Sequence, residues 1–332
     1  MAKSERNMRT KHFKKLRSIY HRFEAYYCDS PYYNNPQIKL HNWCTPAPQD
    51  FWLSRFIENR FEADTQKIGV FSVFGLRQMI RLDRSDIKIF LARENVHRSN
   101  WKNYDDICLK EKSLDLCIGF DYGIDDERYI RFPLWIMWIF SPNVTYDEVK
   151  CFCDRVNSAD NSSYDDRSFC VLISSHDDDG RKEIFNEIDT IAPLDSCGKF
   201  MHNNNDLFEK YSNNKLELLR HYRFNLCPEN SNWEGYCTEK IFEAISGGCV
   251  PIYWGSNNNP EPGVLNHNAI CFIDVGKPNE SSVLEKIRNL NLNKQDYDYF
   301  SKQNRLLKEA PDIIMESIED LENRLRAILK NC

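Results

Sequence analysis

Two basic residues each lie in the first turn of a predicted helix, where a positive charge is unfavourable. Lys240 comes two residues after Thr238, which fits an N-cap position, and Arg181 follows a polar loop at 176–180. The helix macrodipole favours anions at this end, and the free backbone N–H groups point to the same place. A bound anion such as a diphosphate would explain both cations. A solvated lysine, and an arginine paired with an aspartate of its own loop, remain open on the residues alone.

Two carboxylates accompany these cations and could act as a base or stabilise a developing positive charge. Glu239 immediately precedes Lys240, and Glu94 follows the apolar run 87–91. Ligands of α/β sheets bind at the carboxyl ends of the strands, so Glu94 is predicted to lie at the edge of a site. A surface glutamate is the competing interpretation from position alone.

Alternating apolar runs and helical patterns indicate the elements that must position these residues. In the first half of the chain, we predict strands at 67–74, 87–91 and 114–120 and an amphipathic helix at 51–61. In the second half, we predict strands at 169–173, 190–195, 224–227, 249–254 and 269–274 and helices at 181–188, 207–222 and 239–246. The glycines at 247 and 248 end the last of these helices, and two or three more helices follow between 282 and 329.

This pattern predicts an α/β fold with two doubly wound, Rossmann-like domains. The polar stretch 153–166 is the predicted linker or crossover loop. The predicted divisions are a basic N-terminal segment at 1–35, a first domain at 36–150, a second domain at 151–300 and C-terminal helices at 301–332. A length of 332 residues is enough for two separate cores.

The composition excludes several classes of protein. A net charge of −6 argues against nucleic acid as the main partner. The 13 cysteines include no CxxC pair, so no zinc site is indicated, and their odd number suits a reducing compartment. No apolar run is long enough for a transmembrane helix. The basic N-terminal segment could lie on an anionic membrane surface or be a solvated tail.

One stretch of the sequence carries a family resemblance. Glu229-Asn-Ser231 and Gly235-Tyr-Cys-Thr-Glu-Lys-Ile241 are followed by Val250-Pro-Ile-Tyr-Trp-Gly255. This text resembles the donor-binding motif of the α-1,3/4-fucosyltransferases, glycosyltransferase family 10. Pro228 and Cys237 depart from the usual Phe and Val of the family, and neither position would do chemistry. Family-like sequence extends from about residue 70 to about residue 274.

The resemblance implies a GT-B fold, in which two Rossmann-like domains face a central cleft. It implies an inverting transfer of L-fucose from GDP-β-L-fucose to a GlcNAc hydroxyl of a lactosamine-type glycan, most simply in α-1,3 linkage. Glu94, in Ala92-Arg-Glu-Asn95, would be the general base and Glu239 a second catalytic carboxylate. The donor-binding residues implied by the motif are Arg181, Asn230, Tyr236, Glu239 and Lys240.

The same resemblance sets expectations for cofactors and partners. We expect no required metal, although Asp177-Asp-Asp179 formally contains Asp-x-Asp and Mn²⁺ is left open as a stimulant. The partners would be GDP-fucose and an oligosaccharide acceptor, with no nucleic acid and peripheral membrane contact through the basic N-terminus. A cytoplasmic or inner-membrane location fits a bacterial-type enzyme, and a Golgi location fits a chain whose membrane anchor has been removed. A related transferase for another nucleotide sugar and a non-catalytic glycan-binding homologue are the alternatives.

Overall fold

Two separate β-sheets organise the chain. The computed structural model describes residues 33–34, 37–41, 50–61, 66–158, 164–178, 180–275 and 281–330. Contacts divide the chain into a first unit, Met1–Gly119 with Gly123–Phe132 and Glu319–Cys332, and a second unit, Phe120–Tyr122 with Pro133–Ile318. The predicted basic segment at 1–35 lies outside the described residues, except for Tyr33 and Asn34. The predicted domain boundary at residue 150 falls within the second unit, because the main change of unit occurs between Phe132 and Pro133.

The first unit contains a six-stranded, largely parallel sheet. Its strands are β1 (Tyr33–Asn34), β2 (Gln37–His41), β3 (Lys67–Phe71), β4 (Ile87–Leu91), β5 (Leu116–Gly119) and β6 (Tyr129–Arg131). Its helices are α1 (Trp52–Arg60), α2 (Gln78–Leu82) and α3 (Ile107–Lys110), with a 3-10 turn at Ser99–Tyr104. The strands lie in the order β1 to β6, and only β1 is antiparallel to its neighbour. The buried apolar runs confirm the strands predicted near 67, 87 and 114.

The second unit contains a parallel five-stranded sheet. Its strands are β7 (Ser168–Leu172), β8 (Leu194–Ser196), β9 (Tyr222–Leu226), β10 (Val250–Tyr253) and β11 (Cys271–Phe272). Its helices are α4 (Ile136–Ile139), α5 (Tyr146–Ser158), α6 (Arg181–Asp189), α7 (Asp206–Glu209), α8 (Lys215–Leu219), α9 (Glu239–Ser246), α10 (Ser281–Leu292) and α11 (Lys294–Ser301). The last helix, α12 (Ala310–Lys330), begins in this unit, and its residues from Glu319 onward belong to the first unit. Short 3-10 turns lie at Ser256–Asn258 and His267–Ala269.

The strands of the second sheet lie in the order β11-β10-β9-β7-β8, so the side on which successive strands are added changes at β7. The chain passes from β7 outward to β8 and then returns to place β9 on the other side of β7. Such a reversal opens a crevice at the carboxyl ends of the two central strands, and ligands of α/β sheets bind there. The loops that leave β7 and β9 are therefore the expected positions of a binding site.

The predicted linker at 153–166 was wrong for residues 153–158, which form the last turns of α5. The helix begins with a capping box, since Glu148 N–H donates to Thr145 Oγ1 at 3.3 Å and Thr145 N–H donates to the Glu148 carboxylate at 2.8 Å. Its apolar face is buried through Val149, Phe152, Cys153 and Val156. These side chains recur at helical spacing, so the polar residues between them occupy only the solvent face.

The single helix predicted at 207–222 was also wrong. The structure has two short helices, α7 and α8, and Tyr222 already belongs to β9. Ser212 and Asn213 between the helices have φ values of 49° and 64°. Left-handed backbone of this kind ends a right-handed helix, and short polar residues adopt it more readily than most. The strand predicted at 190–195 begins later, at Leu194.

The described cysteines behave as small apolar residues. All ten in the described part of the chain are free thiols, and eight of them are buried. Burial raises the pKa of Cys249 to about 12 and that of Cys271 to about 11, so both are protonated thiols. None of the helices in the described ranges combines the length and the apolar character needed to cross a membrane.

Candidate active site

The loop between β9 and α9 is held against the neighbouring strand β10 by backbone pairing. Cys227 N–H donates to Ile252 O at 2.9 Å, and Glu229 N–H donates to Trp254 O at 2.9 Å. The parallel pairing of β9 and β10 thus continues past the last strand residue. The loop then turns at Gly235, whose φ is +78°, before α9 begins at Glu239. This turn requires glycine, because a Cβ there would lie 2.3 Å from Phe120 O.

Glu229 is the buried centre of the loop. Its side chain is fully shielded from solvent, and its carboxylate accepts hydrogen bonds from four groups, one of which is the Tyr253 hydroxyl, 3.4 Å from Oε1. Thr238 N–H donates to Oε1 at 2.7 Å, Thr238 Oγ1 donates to Oε2 at 2.7 Å, and Lys240 Nζ donates to Oε2 at 3.0 Å. Gly255 leaves the necessary room, since a Cβ there would lie 2.7 Å from Glu229 Cγ. The carboxylate therefore fixes both the start of α9 and its lysine.

Lys240 is paired with acidic groups and remains charged. Its side chain is 23% exposed, with Nζ 3.0 Å from Glu229 Oε2 and 3.7 Å from Glu239 Oε1. Burial alone would lower the pKa of Lys240, but the two carboxylates outweigh burial and hold that pKa above its ordinary value. The interpretation of Lys240 as a solvated surface lysine is excluded by this geometry.

The N-cap expectation for Thr238 needs a correction. Thr238 does occupy the N-cap position of α9, with extended backbone, but its side chain makes no capping hydrogen bond within the described residues. The reason is competition, because the Thr238 hydroxyl is engaged by Glu229 and also lies 2.7 Å from Lys240 Nζ. The first-turn N–H groups of α9 thus lack the side-chain cap that the sequence predicted.

Arg181 stands at the start of α6, after β7, and is 2% exposed. Its Nη2 donates to Glu229 O at 3.2 Å and to Asn230 Oδ1 at 3.3 Å, and its Nη1 donates to Ser174 Oγ at 2.6 Å. Asp178 is its acidic neighbour, at 3.7 Å. The Arg181 guanidinium and the Lys240 ammonium therefore meet at the same residue, Glu229, one on the backbone carbonyl and one on the carboxylate. The structure brings together the two cations that the sequence singled out.

The other predicted donor-binding residues surround this pair. Asn230 is half-buried and contacts Arg181. Tyr236 is buried, and its ring packs edge-on to Phe120 with the ring centroids 5.2 Å apart. Burial would raise the pKa of Glu239, but the Lys240 charge and a backbone N–H hold that pKa below its ordinary value. Glu239 is therefore an ionised carboxylate beside Lys240 at the start of α9.

Glu94 lies in the other unit, three residues after the end of β4, and is half-buried. Its neighbour Asn95 is buried, and the Asn95 side-chain oxygen accepts a hydrogen bond from His97 N–H at 3.0 Å. A carboxylate at a strand end is thus present where the sequence predicted it. Its role as the base stays a prediction.

Metal binding was expected to be unnecessary. Within the described ranges, no group of three His, Cys, Asp or Glu side chains could hold a metal ion, and Asp179 of the acidic loop lies outside those ranges. Asp178, which is described, lies beside Arg181. The absence of a metal requirement therefore stays a prediction.

Sequence reasoning gave Glu229 only a bracing role in the loop, and it did not predict the contact with Lys240. The available signal was an acidic residue between the apolar run 224–227 and a lysine of the next helix. A buried carboxylate needs a cation or several donors, and Lys240 is the nearest cation in the sequence.

Known structures share this fold. The crystal structure of an α1,3-fucosyltransferase aligns with a TM-score of 0.56 and 21% identity over 79% of this chain and 78% of that one. A crystal structure of α1,3-fucosyltransferase with GDP aligns with a TM-score of 0.54 and 20% identity, covering 86% of this chain and 97% of that one. The fold of this chain is that of the GT-B glycosyltransferases, with two Rossmann-like units, as the sequence predicted.

Sequence comparison is more specific. Residues 40–138 match the family model "Alpha-(1,3)-fucosyltransferase FucT N-terminal domain", and residues 163–319 match "Glycosyltransferase family 10 (fucosyltransferase) C-term". Together the matches cover about three quarters of the 332 residues. The chain belongs to glycosyltransferase family 10.

Two individual proteins similar to this chain share less than a third of their aligned residues with it. Alpha-(1,3)-fucosyltransferase FucT of Helicobacter pylori is 29% identical over 232 residues, which are 59% of this chain and 47% of that protein. Alpha-(1,3)-fucosyltransferase B of Drosophila melanogaster is 27% identical over 202 residues, which are 58% of this chain and 44% of that protein. The chain thus spans less than half the length of these relatives.

Proposed function

We propose that this protein is an inverting α-1,3-fucosyltransferase that moves L-fucose from GDP-β-L-fucose to a GlcNAc hydroxyl of a lactosamine-type glycan. One observation carries the proposal. Two cations at the starts of two helices, Arg181 and Lys240, converge on Glu229 at the reversal point of a parallel sheet. Opposite a leaving diphosphate, such a pair supplies positive charge where negative charge develops.

The proposed roles follow from the chemistry of the step. The Arg181 guanidinium and Lys240 ammonium would bind the GDP diphosphate, which leaves as the glycosidic bond breaks. The ionised Glu239 would lie near the ribose or fucose hydroxyls and stabilise the developing positive charge on fucose. Glu94 would take the proton of the acceptor hydroxyl as its oxygen attacks the anomeric carbon. Asn230 and Tyr236 would position the donor.

The decisive experiment is a transfer assay with GDP-fucose and two lactosamine acceptors, type 1 and type 2. We expect fucosylation of the type 2 acceptor and faster GDP release when acceptor is present. Release from another nucleotide sugar alone would favour a related transferase. Glycan binding without GDP release would favour the non-catalytic homologue.

We further propose that no metal is required, because Arg181, Lys240 and two helix N-termini already provide positive charge. Activity should survive EDTA, and added Mn²⁺ should stimulate it modestly at most. Complete loss on chelation, with recovery on adding metal, would move the acidic loop at 177–179 to the centre of the mechanism. The cytoplasmic or inner-membrane location, its Golgi alternative, and the membrane contact of the basic segment also stay predictions.

A further inference from the structure

Two partly exposed aromatic side chains flank the turn that precedes α9. Trp233 is 42% exposed and Tyr122 is 41% exposed, and both belong to the second unit. A Cβ on Gly235 would lie 3.2 Å from Tyr122 Cε2, so the tyrosine ring lies against the turn itself. Trp233 stands two residues earlier in the same loop. The pair thus borders the loop that carries Asn230 and Tyr236.

The exposed indole of Trp233 is held in place by a carboxylate. Trp233 Nε1 donates to Asp121 Oδ1 at 3.1 Å. Asn232 directly precedes Trp233, and its side-chain oxygen accepts a hydrogen bond from Asn257 N–H at 2.6 Å. This bond fixes the loop to the segment after β10. A single exposed aromatic residue is ordinary on a protein surface. Here a carboxylate orients the indole, and a second aromatic ring borders the same turn.

The charge of this surface selects its ligand. Asp121 is partly exposed and hydrogen-bonded to Trp233, and the exposed Glu234 follows Trp233 in the sequence, so acidic residues adjoin the aromatic pair. The two cations, Arg181 and Lys240, lie instead beside the buried Glu229. Negative charge disfavours phosphate but suits neutral hydroxyl groups, which donate to carboxylates.

A saccharide ring matches both properties. Its C–H face packs on aromatic rings, and its hydroxyl edge donates hydrogen bonds. We propose that Trp233, Tyr122 and Asp121 form a subsite for a neutral sugar residue of the acceptor. This inference rests on the proposed transferase function and assigns part of acceptor recognition to the second unit.

The test compares Trp233→Ala with Trp138→Ala in the full chain. Trp138 is a matched control, since it is 39% exposed and lies on α4 of the same unit. The probes are N-acetyllactosamine and GDP. Acceptor KM and kcat are measured by transfer from GDP-fucose, and N-acetyllactosamine binding to the GDP-loaded protein is measured by saturation-transfer NMR. GDP affinity is measured by calorimetry.

We expect Trp233→Ala to weaken N-acetyllactosamine about tenfold, in KM and in direct binding, because a partly buried tryptophan anchor is lost. GDP affinity should stay within twofold, and Trp138→Ala should match the wild type. Trp233→Phe should recover part of the loss, since it keeps an aromatic face but not the N–H donated to Asp121.

The outcomes separate the two claims. A wild type that binds N-acetyllactosamine through Trp233 but transfers no fucose would contradict the proposed function and support the subsite. A wild type that transfers fucose, with Trp233→Ala unchanged in KM and in direct binding, would overturn the subsite alone. An equal loss of sugar binding in the Trp138 control would also overturn it, since the effect would then be general.

Discussion

At the scale of single residues, the site depends on a carboxylate that the sequence does not mark as special. Glu229 binds the N-cap backbone, the N-cap hydroxyl and the lysine of α9 at once. Lys240 is therefore a member of a buried network and not an isolated charge. Substitutions in this network must be interpreted with both binding and stability in view.

Lys240→Met should weaken GDP binding by about ten- to a hundredfold, because the loss of a charge-assisted contact costs roughly 1.5–3 kcal/mol. Calorimetry with GDP measures the effect. Lys210→Met is the matched control, since Lys210 is 64% exposed and paired 2.9 Å from Asp206, and it should leave GDP affinity unchanged.

Loss of Lys240 also leaves Glu229 buried without its cation, which destabilises a fold by roughly 3 kcal/mol. Adding Glu229→Gln should restore part of the unfolding free energy without restoring GDP binding, and urea unfolding compares the variants. Unchanged GDP affinity in a folded Lys240→Met variant would remove the diphosphate role of Lys240.

Glu94→Gln tests the proposed base. The amide keeps the shape of the side chain but cannot take a proton, so transfer should fall about a hundred- to ten-thousandfold. GDP affinity should remain close to that of the wild type, since the proposed donor residues belong to the second unit. If the variant keeps most of its transferase activity, the base lies elsewhere, and Asp121 is the next carboxylate to test.

At the scale of elements, the start of α6 depends on Gly180, where the side chain of Val275 leaves no room for a Cβ atom. Gly180 has a φ of +86°, and a Cβ there would lie 2.2 Å from Val275 Cγ1. Gly123 has a similar φ of +69° but no heavy atom within 4 Å of such a Cβ. The two glycines therefore separate backbone strain from steric contact.

Gly123→Ala should lower the unfolding free energy by about 1–2 kcal/mol, the cost of left-handed backbone in an alanine. Gly180→Ala should cost more than this, and it should weaken GDP binding because it displaces Arg181, the first residue of α6. Thermal unfolding and GDP calorimetry on the two variants measure both effects. Equal destabilisation with unchanged GDP affinity would contradict the steric argument.

A second element-scale feature is the junction between β2 and the end of α2 in the first unit. His41 Nε2 lies 3.1 Å from Asp83 Oδ2, and Ser85 N–H donates to Asp83 Oδ1 at 2.7 Å. Burial alone would raise the pKa of Asp83, but the hydrogen bonds from His41 and Ser85 outweigh it and hold that pKa well below its usual range.

A lowered folded pKa means that the unfolded chain binds more protons, so this stabilisation is complete above about pH 4, the ordinary pKa of aspartate, and is lost as the pH falls below it. Asp83→Asn should therefore lower the unfolding free energy at pH 7 by roughly 1.5–3 kcal/mol and by less at pH 3. Urea unfolding at both values checks this.

Asp154→Asn is the control for this pH experiment. Asp154 is 65% exposed, and among the described residues its ionic partner is Lys150, so its substitution should change stability by less than about 1 kcal/mol. A constant difference between Asp83→Asn and wild type at both pH values would contradict the assigned pKa.

At the scale of the whole molecule, the alternating apolar pattern predicted the α/β class, and the resemblance of the motif implied the GT-B fold and the family. Apolar runs such as 87–91 and 224–227 identify buried parallel strands, because both faces of these strands are covered. The helical spacing of the apolar residues in 239–246 identified α9, because one face of that helix is buried. Helix ends were less predictable, as the extension of α5 to Ser158 and the break at Ser212 show.

The candidate site also has features that the sequence could predict and features that it could not. Arg181 and Lys240 could be predicted, because a cation at a helix start contradicts the local electrostatics. Their meeting at Glu229 could not, since it depends on the order of β7 and β9 in the sheet. The anchoring of Trp233 by Asp121 joins positions 112 residues apart, and no local pattern reports such a contact.

The pairing of Lys240 with Glu229 also bears on how quickly such a site could turn over. The protein carries its own counter-ion for this ammonium, so an arriving diphosphate would exchange one anionic partner for another. The net gain is then a difference between two ion pairs and not the full value of either. A departing nucleotide leaves behind a cation whose replacement partner is already within reach. Under the proposed function, this arrangement would limit product inhibition, because it would lower the free-energy cost of releasing GDP.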